Sequence, residues 1–307
     1  MKKYIISVDG GGTKTKAIAY DKDASEIASF ISGPGSAAVV SEDEVWINVI
    51  ESIDGLLELI DNNNNNILVY IQVGLSAYSI LEQIEKRKAE LMKKYNCLVD
   101  IASDTLIACH SIIKDKYEQG VVALAGTGVA VFGMSYNDTC LIGGWGHIIR
   151  ELGSAYATVH HMALNIIDTL ENGHHLSTFQ SDFINYLHEN NINDLKHLFY
   201  FHSKTKIASL VTFIKKYAEE GFDEAKSLLY KEGTYLADQT LKAINKLHLT
   251  NNYVVGLRGG FVQRNSGDVV KGFTDTLRNN NVNVLIISDS DDPAIGGYFI
   301  AKKKKLI

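Results

Sequence analysis

Two glycine-rich turns contain the residues whose types and spacing point most directly to chemistry. The first, at 9–13, follows a predicted buried strand, and the second, at 126–128, follows another. Glycine has no Cβ and adopts positive φ without strain, so such turns let backbone N–H groups approach a phosphate closely. One turn alone also fits an ordinary hairpin. The presence of two turns, the first opening with Asp9, favours phosphate together with hydrated Mg²⁺.

The segments around these turns predict a repeated fold. A strand, a glycine turn and a returning strand occur at 4–20 and again at 121–133, which is typical of two similar lobes. Strands and helices alternate between them, as a mixed or parallel sheet requires. A mostly helical stretch follows at 153–245, and Pro293 opens a terminal helix. Neither the Walker nor the dinucleotide spacing is present, and a strand rather than a helix follows the first turn.

Composition narrows the class of protein. The chain has 307 residues, a length that fits two α/β domains. With 46% hydrophobic and 21% charged residues, the composition is typical of a water-soluble globular protein. A formal net charge of -6 provides no surface for a polyanion, so we expect no nucleic-acid partner. No apolar run is long enough for a membrane span, and the N-terminus runs into a glycine turn instead of a cleavage site. We therefore expect a cytoplasmic protein with no membrane partner.

Single side chains leave alternatives open. Asp104 follows a predicted strand and begins a helix, so its carboxylate could be a general base or an N-cap worth about 1 kcal/mol. Trp145 could stack on a sugar ring or be a buried core tryptophan, and its glycine neighbours favour exposure. The adjacent His160 and His161 lie on different helix faces and complete no tetrahedral set, which favours packed or solvated histidines over a metal site.

Three segments resemble one known family. They read Val-Asp-Gly-Gly-Gly-Thr-Lys-Thr at 8–15, Ala-Gly-Thr-Gly at 125–128, and Gly-Gly-Trp-Gly-His at 143–147 followed by Gly-Ser-Ala-Tyr at 153–156. The sequence resembles the BadF/BadG/BcrA/BcrD-type ATPase family, and within it the N-acetylglucosamine kinases. The third segment is the most specific, because it is far rarer by chance than a glycine loop. Gly259-Gly260 and the closing segment 293–297 are weaker similarities.

The resemblance implies a fold and an activity. The fold is the α/β, duplicated actin-like (ribonuclease H-like) ATPase fold, with a nucleotide cleft between two lobes. The implied lobes are 1–115 and 116–292, the second with a helical insertion, and a terminal helix at 293–307 packs back on the first lobe. The implied activity uses ATP and Mg²⁺ to phosphorylate a hydroxyl, the 6-hydroxyl, of N-acetylglucosamine or a related sugar such as N-acetylmuramic acid or glucosamine. A homodimer is also implied.

The resemblance assigns roles to individual residues. Asp104 is implied as the catalytic base and Asp9 as the Mg²⁺ carboxylate, acting through water. The residues implied to hold the ATP phosphates are Gly11, Gly12, Thr13, Lys14, Gly126, Thr127 and Gly128. Those implied to lie beside adenosine are Gly259 and Gly260. Those implied to contact the sugar are Ser76, Gly144, Trp145, Gly146 and Glu151.

Several positions depart from the family pattern. The family's Gly-Asp-Glu-Gly-Ser reads Arg-Glu-Leu-Gly-Ser at 150–154, and Ala37 and Val129 replace an asparagine and a serine. Since buried polar pairing decides sugar discrimination, these changes leave the choice of sugar open. Arg150 could recognise a carboxylate on the substrate or could form a salt bridge with a nearby acid.

Two alternative functions follow from the same residues. A sugar or nucleotide sensor without turnover is motivated by the changes at Ala37, Val129 and Leu152. An activator ATPase of a radical dehydratase is the other alternative, and it would need paired cysteines for an iron–sulfur cluster. The segment 120–153 contains only Cys140, which disfavours the activator.

Overall fold

The computed structural model describes residues 2–60, 66–136, 138–187, 193–264, 266–288 and 291–307. The strands they form are β1 (Lys2–Gly10), β2 (Thr15–Asp21), β3 (Glu26–Ser32), β4 (Asn66–Leu75), β5 (Leu98–Ser103), β6 (Gln119–Ala125), β7 (Val129–Ser135), β8 (Asp138–Gly143), β9 (Val254–Arg258) and β10 (Ile286–Ile287). The α-helices are α1 (Glu42–Leu59), α2 (Ile84–Tyr95), α3 (Asp104–Ile113), α4 (Ala155–Glu171), α5 (Thr178–Tyr186), α6 (Asn193–Phe201), α7 (Lys204–Ser209), α8 (Val211–Glu219), α9 (Asp223–Lys246), α10 (Gly260–Arg264), α11 (Ser266–Asn279) and α12 (Ile295–Lys303).

The strands form two sheets with one topology. The first sheet has the order β3-β2-β1-β4-β5 and the second β10-β9-β6-β7-β8. In each sheet the first three strands, in chain order, lie side by side, and the last two strands extend the sheet on the other side of the first one. The first sheet is mixed, because β1 pairs antiparallel with β2 and parallel with β4. The internal repeat predicted from the sequence is therefore confirmed at the level of strand order.

The chain divides into two compact units. Unit 1 consists of Met1–Gly120, Asn252–Val254 and Asp289–Ile307, and unit 2 consists of Val121–Asn251 and Val255–Ser288. Unit 1 is thus made from three separate stretches of chain. The lobe boundaries expected from the sequence stay a prediction.

The core of unit 1 lies on both faces of its sheet. On one face, apolar residues of β1, β2 and β4 pack against α1, whose buried residues include Val45, Val49 and Ile53. On the other face, Ile5 and Tyr70 pack with Tyr298 of α12. Burial on this scale is the main favourable contribution to the fold. The terminal helix is thus an integral part of the core of unit 1.

Two glycines of α12 allow the close packing of this helix. A Cβ on Gly296 would overlap the carbonyl oxygen of Ile107 in α3, and one on Gly297 would overlap the side chain of Ser7 in β1. The hydroxyl of Tyr298 donates to the carbonyl oxygen of Lys22 at 2.8 Å, which links the helix to the turn after β2. Glycine is therefore a packing requirement at both positions.

In unit 2, the long helix α9 organises the helical segment. It crosses α11 closely, since a Cβ on Gly233 would lie 2.9 Å from the backbone nitrogen of Phe273. Glu232 of α9 is fully buried, and its Oε2 accepts a hydrogen bond from the Gly153 N–H at 2.6 Å. Its other oxygen contacts Nδ1 of His161. Through these contacts the buried Glu232 carboxylate connects the loop before α4 to α9.

Over the residues described, none of the helices combines the length and the apolar character that crossing a bilayer would require.

Candidate active site

Three neighbouring strand ends of unit 1 bring the predicted acidic residues to one edge of the sheet. Gly10 of β1 is in register with Leu75 of β4, which is in turn in register with Ser103 of β5. Because β1, β4 and β5 are parallel, their carboxyl ends meet at this edge. The edge therefore carries Asp9, Ser76 and Asp104 together.

Backbone hydrogen bonds hold the first glycine turn in place. The Gly11 N–H donates to the Lys14 carbonyl at 2.9 Å, and the Gly35 N–H donates to the Gly11 carbonyl at 2.9 Å. A Cβ on Gly35 would lie 2.5 Å from the Cα of Gly10, so only glycine permits this approach. The N–H groups of Gly12 and Thr13 donate to no partner in the part of the chain that the structure describes. They are available to an anion, as a phosphate turn requires.

Asp104 does not cap helix α3, although the sequence allowed that role. The N-cap of α3 is Ser103, whose hydroxyl accepts from the Leu106 N–H at 3.2 Å. The interpretation of Asp104 as an N-cap is therefore wrong. Burial raises the pKa of the Asp104 carboxyl, while hydrogen bonds from the Thr105 N–H and the Ser76 hydroxyl act in the opposite direction. A partly desolvated carboxylate of this kind is a suitable proton acceptor.

Asp9 lies beside Asp104 in a strongly acidic environment. Burial, followed by the negative charges of Asp104 and Asp292, raises the pKa of Asp9 from 3.8 to about 7. No group of three or more His, Cys, Asp or Glu side chains forms a metal site within the described residues. Mg²⁺ needs only one or two carboxylates when water and phosphate supply its other ligands. Asp9 beside the first glycine turn fits that requirement.

The sequence did not point to Asp292, which belongs to the same edge of unit 1. Its Oδ2 is 2.7 Å from the Lys16 Nζ, and its Oδ1 accepts from the Ala294 N–H at 3.0 Å. An aspartate immediately before Pro293 at a helix start is the only local signal for it. Its pairing with Lys16, 276 positions away, could not be read from the sequence.

Replacing Asp9 with asparagine is expected to stabilise the protein at pH 8. The pKa of the Asp9 carboxyl is 3.8 in the unfolded protein and about 7 in the folded protein. Between these two pH values the folded protein keeps a proton that the unfolded protein has lost, so stability falls as the pH rises through this interval. The variant avoids that cost and should gain about 1–4 kcal/mol at pH 8 and nothing below pH 4. Thermal unfolding of apoprotein across this pH range measures the difference. The exposed Asp138, replaced in the same way, is the control. A gain that did not depend on pH would contradict the prediction.

The second glycine turn and the adenosine-side turn meet within unit 2. The Gly126 and Thr127 carbonyls accept from the Ala155 and Tyr156 N–H groups at 3.0 and 3.4 Å, so the turn is fixed to the start of α4. Gly259 has φ +106° and packs directly on the backbone of Ala125.

A cavity of about 470 Å³ opens beside these turns. Its lining includes Gly126, Thr127, Thr205, Gly260 and Phe261. Unit 2 therefore brings both predicted nucleotide turns to one cavity.

The loop after β8 presents Trp145 to solvent. The side chain is 66% exposed, so the alternative of a buried core tryptophan is wrong. Gly144 and Gly146 flank it with φ of +74° and +81°, a conformation that favours glycine. The Gly144 N–H donates to the Val129 carbonyl at 3.1 Å, which places the start of this loop next to the second glycine turn.

Glu151 supports the second glycine turn directly. Its side chain is only 3% exposed, and its Oε1 accepts from the Val129 N–H at 2.7 Å. Its Oε2 accepts from the Lys204 Nζ at 2.5 Å. Each carboxylate oxygen thus already has a partner inside unit 2. No sequence signal pointed to Lys204.

Three histidines of unit 2, His147, His160 and His161, pack against aromatic rings or a carboxylate. His147 meets Tyr156 edge-on at 5.1 Å between ring centroids, and His160 stacks on the same ring at 6.0 Å. His161 contacts Glu232. Burial, with the neighbouring His161, lowers the pKa of His160. These contacts agree with the packed role expected from the sequence.

The repeated sheet, with a glycine turn after the first strand of each copy, defines an α/β protein of the duplicated actin-like, ribonuclease H-like ATPase fold, as predicted from the sequence. A proposed N-acetylglucosamine kinase from Chromobacterium violaceum shares this fold, with a TM-score of 0.68 and 17% identity over 96% of this chain and 97% of that one. The chain belongs to the BadF/BadG/BcrA/BcrD ATPase family, whose sequence profile matches residues 6–301.

Two named relatives match over almost their whole length. The N-acetylmuramic acid/N-acetylglucosamine kinase of Clostridium acetobutylicum is 25% identical over 98% of this chain and 99% of its own. The N-acetyl-D-glucosamine kinase of Dictyostelium discoideum is 24% identical over 99% of each chain. The match of the family profile confirms the family predicted from the sequence.

Proposed function

We propose that this protein is an ATP-dependent amino-sugar kinase. It transfers the γ-phosphate of ATP to a hydroxyl, the 6-hydroxyl, of N-acetylglucosamine or of a related sugar such as N-acetylmuramic acid or glucosamine. The observation that carries the proposal is the edge of unit 1 at which Asp9 and Asp104 lie at the ends of parallel strands beside a glycine turn. The names of both relatives, each matched end to end, support the substrate class.

Asp104 acts as the general base in this proposal. It accepts the proton of the sugar hydroxyl as the oxygen attacks the γ-phosphorus in line, and the bond from phosphorus to the bridging oxygen of ADP breaks. Ser76 hydrogen-bonds the carboxylate and so holds it in one orientation. Its contact to the sugar, expected from the resemblance, remains part of the proposal.

Backbone donors hold the nucleotide phosphates. Gly11, Gly12, Thr13 and Lys14 supply one set, and Gly126, Thr127 and Gly128 supply the other. Gly259 and Gly260 lie beside adenosine, at the cavity of unit 2. Asp9 holds Mg²⁺ through water, and the ion neutralises charge on the phosphates when bound.

The loop after β8 supplies the sugar contacts of unit 2. Trp145 offers an exposed ring for stacking on a sugar, and Gly144 and Gly146 let the sugar approach the backbone. Glu151 is kept in this proposal as the sugar contact that the family resemblance implies.

A screen of ATP consumption against N-acetylglucosamine, N-acetylmuramic acid, glucosamine and glucose tests this function. We expect turnover with at least one amino sugar and a lower kcat/KM for glucose. Sugar binding without turnover would support the alternative of a sensor and overturn the kinase. ATP hydrolysis that no sugar stimulates would support the activator.

The proposal also includes a cytoplasmic location and a homodimeric assembly.

Arg150 is expected to determine the preference for acidic sugars. It is exposed and forms no salt bridge within the described part of the chain, which removes the support for the alternative of a structural ion pair. Its guanidinium could therefore bind the lactyl carboxylate of N-acetylmuramic acid. Arg150→Ala should lower kcat/KM for N-acetylmuramic acid by about tenfold and leave N-acetylglucosamine unchanged. If the ratio of kcat/KM for N-acetylmuramic acid to that for N-acetylglucosamine were the same in wild type and variant, Arg150 would not have this role.

A further inference from the structure

The ammonium group of Lys204 lies directly against the second glycine turn. Lys204 is the first residue of α7, and its Nζ would be overlapped by a Cβ on Gly128. The next residue, Thr205, lines the cavity together with Gly126 and Thr127. The positive charge therefore lies beside the turn that is expected to hold phosphate.

Glu151 holds this ammonium group in place. Its Oε2 accepts from the Lys204 Nζ at 2.5 Å while its Oε1 accepts from the Val129 N–H at 2.7 Å. The carboxylate is almost fully buried, whereas the lysine side chain is 25% exposed. In this salt bridge Glu151 is buried and fixed in position, and Lys204 is partly accessible to solvent.

The donors around this point have capacity left for an anion. An ammonium group has three N–H donors, and Glu151 accepts from one of them. The N–H groups of Thr127 and Gly128 also donate to no other residue that the structure describes. Two backbone donors and one cation lie next to each other, which is the chemistry that binds a phosphate oxygen.

We propose that Lys204 binds a phosphate oxygen of the nucleotide at the second glycine turn and that Glu151 is its positioning residue. The inference rests on the proposed function, since that function supplies the nucleotide. It gives Glu151 a role on the phosphate side that needs no contact with the sugar. It also explains why position 128 is glycine, because a Cβ there would displace the ammonium group and lie 3.1 Å from the carboxylate.

Binding of ADP and of adenosine to Lys204→Met, without any sugar present, tests the inference. Methionine keeps most of the length of the side chain and removes its charge. We expect the Kd for ADP to rise about 10- to 100-fold and the Kd for adenosine to stay within twofold. Lys204→Arg should restore most of the ADP affinity. Because the lost contact is ionic, the affinity of the wild type for ADP should fall more steeply with added salt than that of Lys204→Met.

The control is Lys206→Met, an exposed lysine two residues further along the same helix, which should bind both ligands as the wild type does. An unchanged ADP affinity in Lys204→Met, or an equal loss for adenosine, would overturn the inference while leaving the kinase proposal in place. A wild-type protein that bound no ADP would overturn both. A selective loss of ADP binding in a protein that phosphorylates no sugar would support Lys204 and reject the kinase.

Discussion

Asp104→Asn is expected to lower kcat for sugar phosphorylation by about 10²–10⁴-fold while leaving the Kd for ADP within about twofold. The amide cannot accept the proton of the attacking hydroxyl, but its oxygen can still accept the Thr105 N–H, which is 2.7 Å from Oδ1 in the wild type. Ser103 remains the cap of α3, so the helix should start as before. The variant should fold and bind nucleotide normally.

Steady-state kinetics with the sugar selected by the screen, together with calorimetric titration of ADP, measures both halves of this expectation. Asp115→Asn is the matched control, because this exposed carboxylate lies just after the same helix and pairs only with Lys302 among the described residues. A variant at position 104 with wild-type turnover would show that another group accepts the proton. A large loss of ADP affinity would instead assign Asp104 to phosphate or metal binding.

The second large effect is expected from Gly296→Ala, which should lower the free energy of unfolding of unit 1 by about 2–4 kcal/mol. Position 296 is helical, so alanine has no backbone strain there and the cost is steric. The added methyl group would meet the carbonyl oxygen of Ile107 and separate α12 from α3. Because Asp104 is the first residue of α3, the variant should also lose activity.

Urea unfolding followed by tryptophan fluorescence can assign this effect to one unit. Trp46 is 2% exposed in the core of unit 1, whereas Trp145 is exposed in unit 2, so the buried indole reports the loss. The control is Gly267→Ala in α11, where nothing lies within 4 Å of the added methyl group. That change should be neutral or stabilise by up to about 1 kcal/mol. Equal destabilisation by both substitutions would reject close packing as the cause.

Local features of the site could be predicted from the sequence because local chemistry decides them. Glycine turns after buried strands, a carboxylate at a helix start and a tryptophan between glycines each follow from the neighbours of the residue. The choice of cap was ambiguous for the same reason, since Ser103 and Asp104 are both good caps and only the backbone geometry selects the serine.

Long-range pairs could not be predicted. Lys204 meets Glu151 across 53 positions, and Lys16 meets Asp292 across 276. No periodicity or spacing connects such residues, because their contact depends on how the sheets and helices pack. The same holds for residues Asn252–Val254, which rejoin unit 1 from within the second half of the chain.

The three-part construction of unit 1 has a consequence for biosynthesis. During synthesis α12 and Asp292 leave the ribosome after the other two stretches of unit 1, and until then Ile107 has no α12 to pack against and Lys16 lacks the carboxylate of Asp292. The half of the protein that is translated first is therefore the half that is finished last. Removal of residues 291–307 should therefore damage unit 1 more than unit 2.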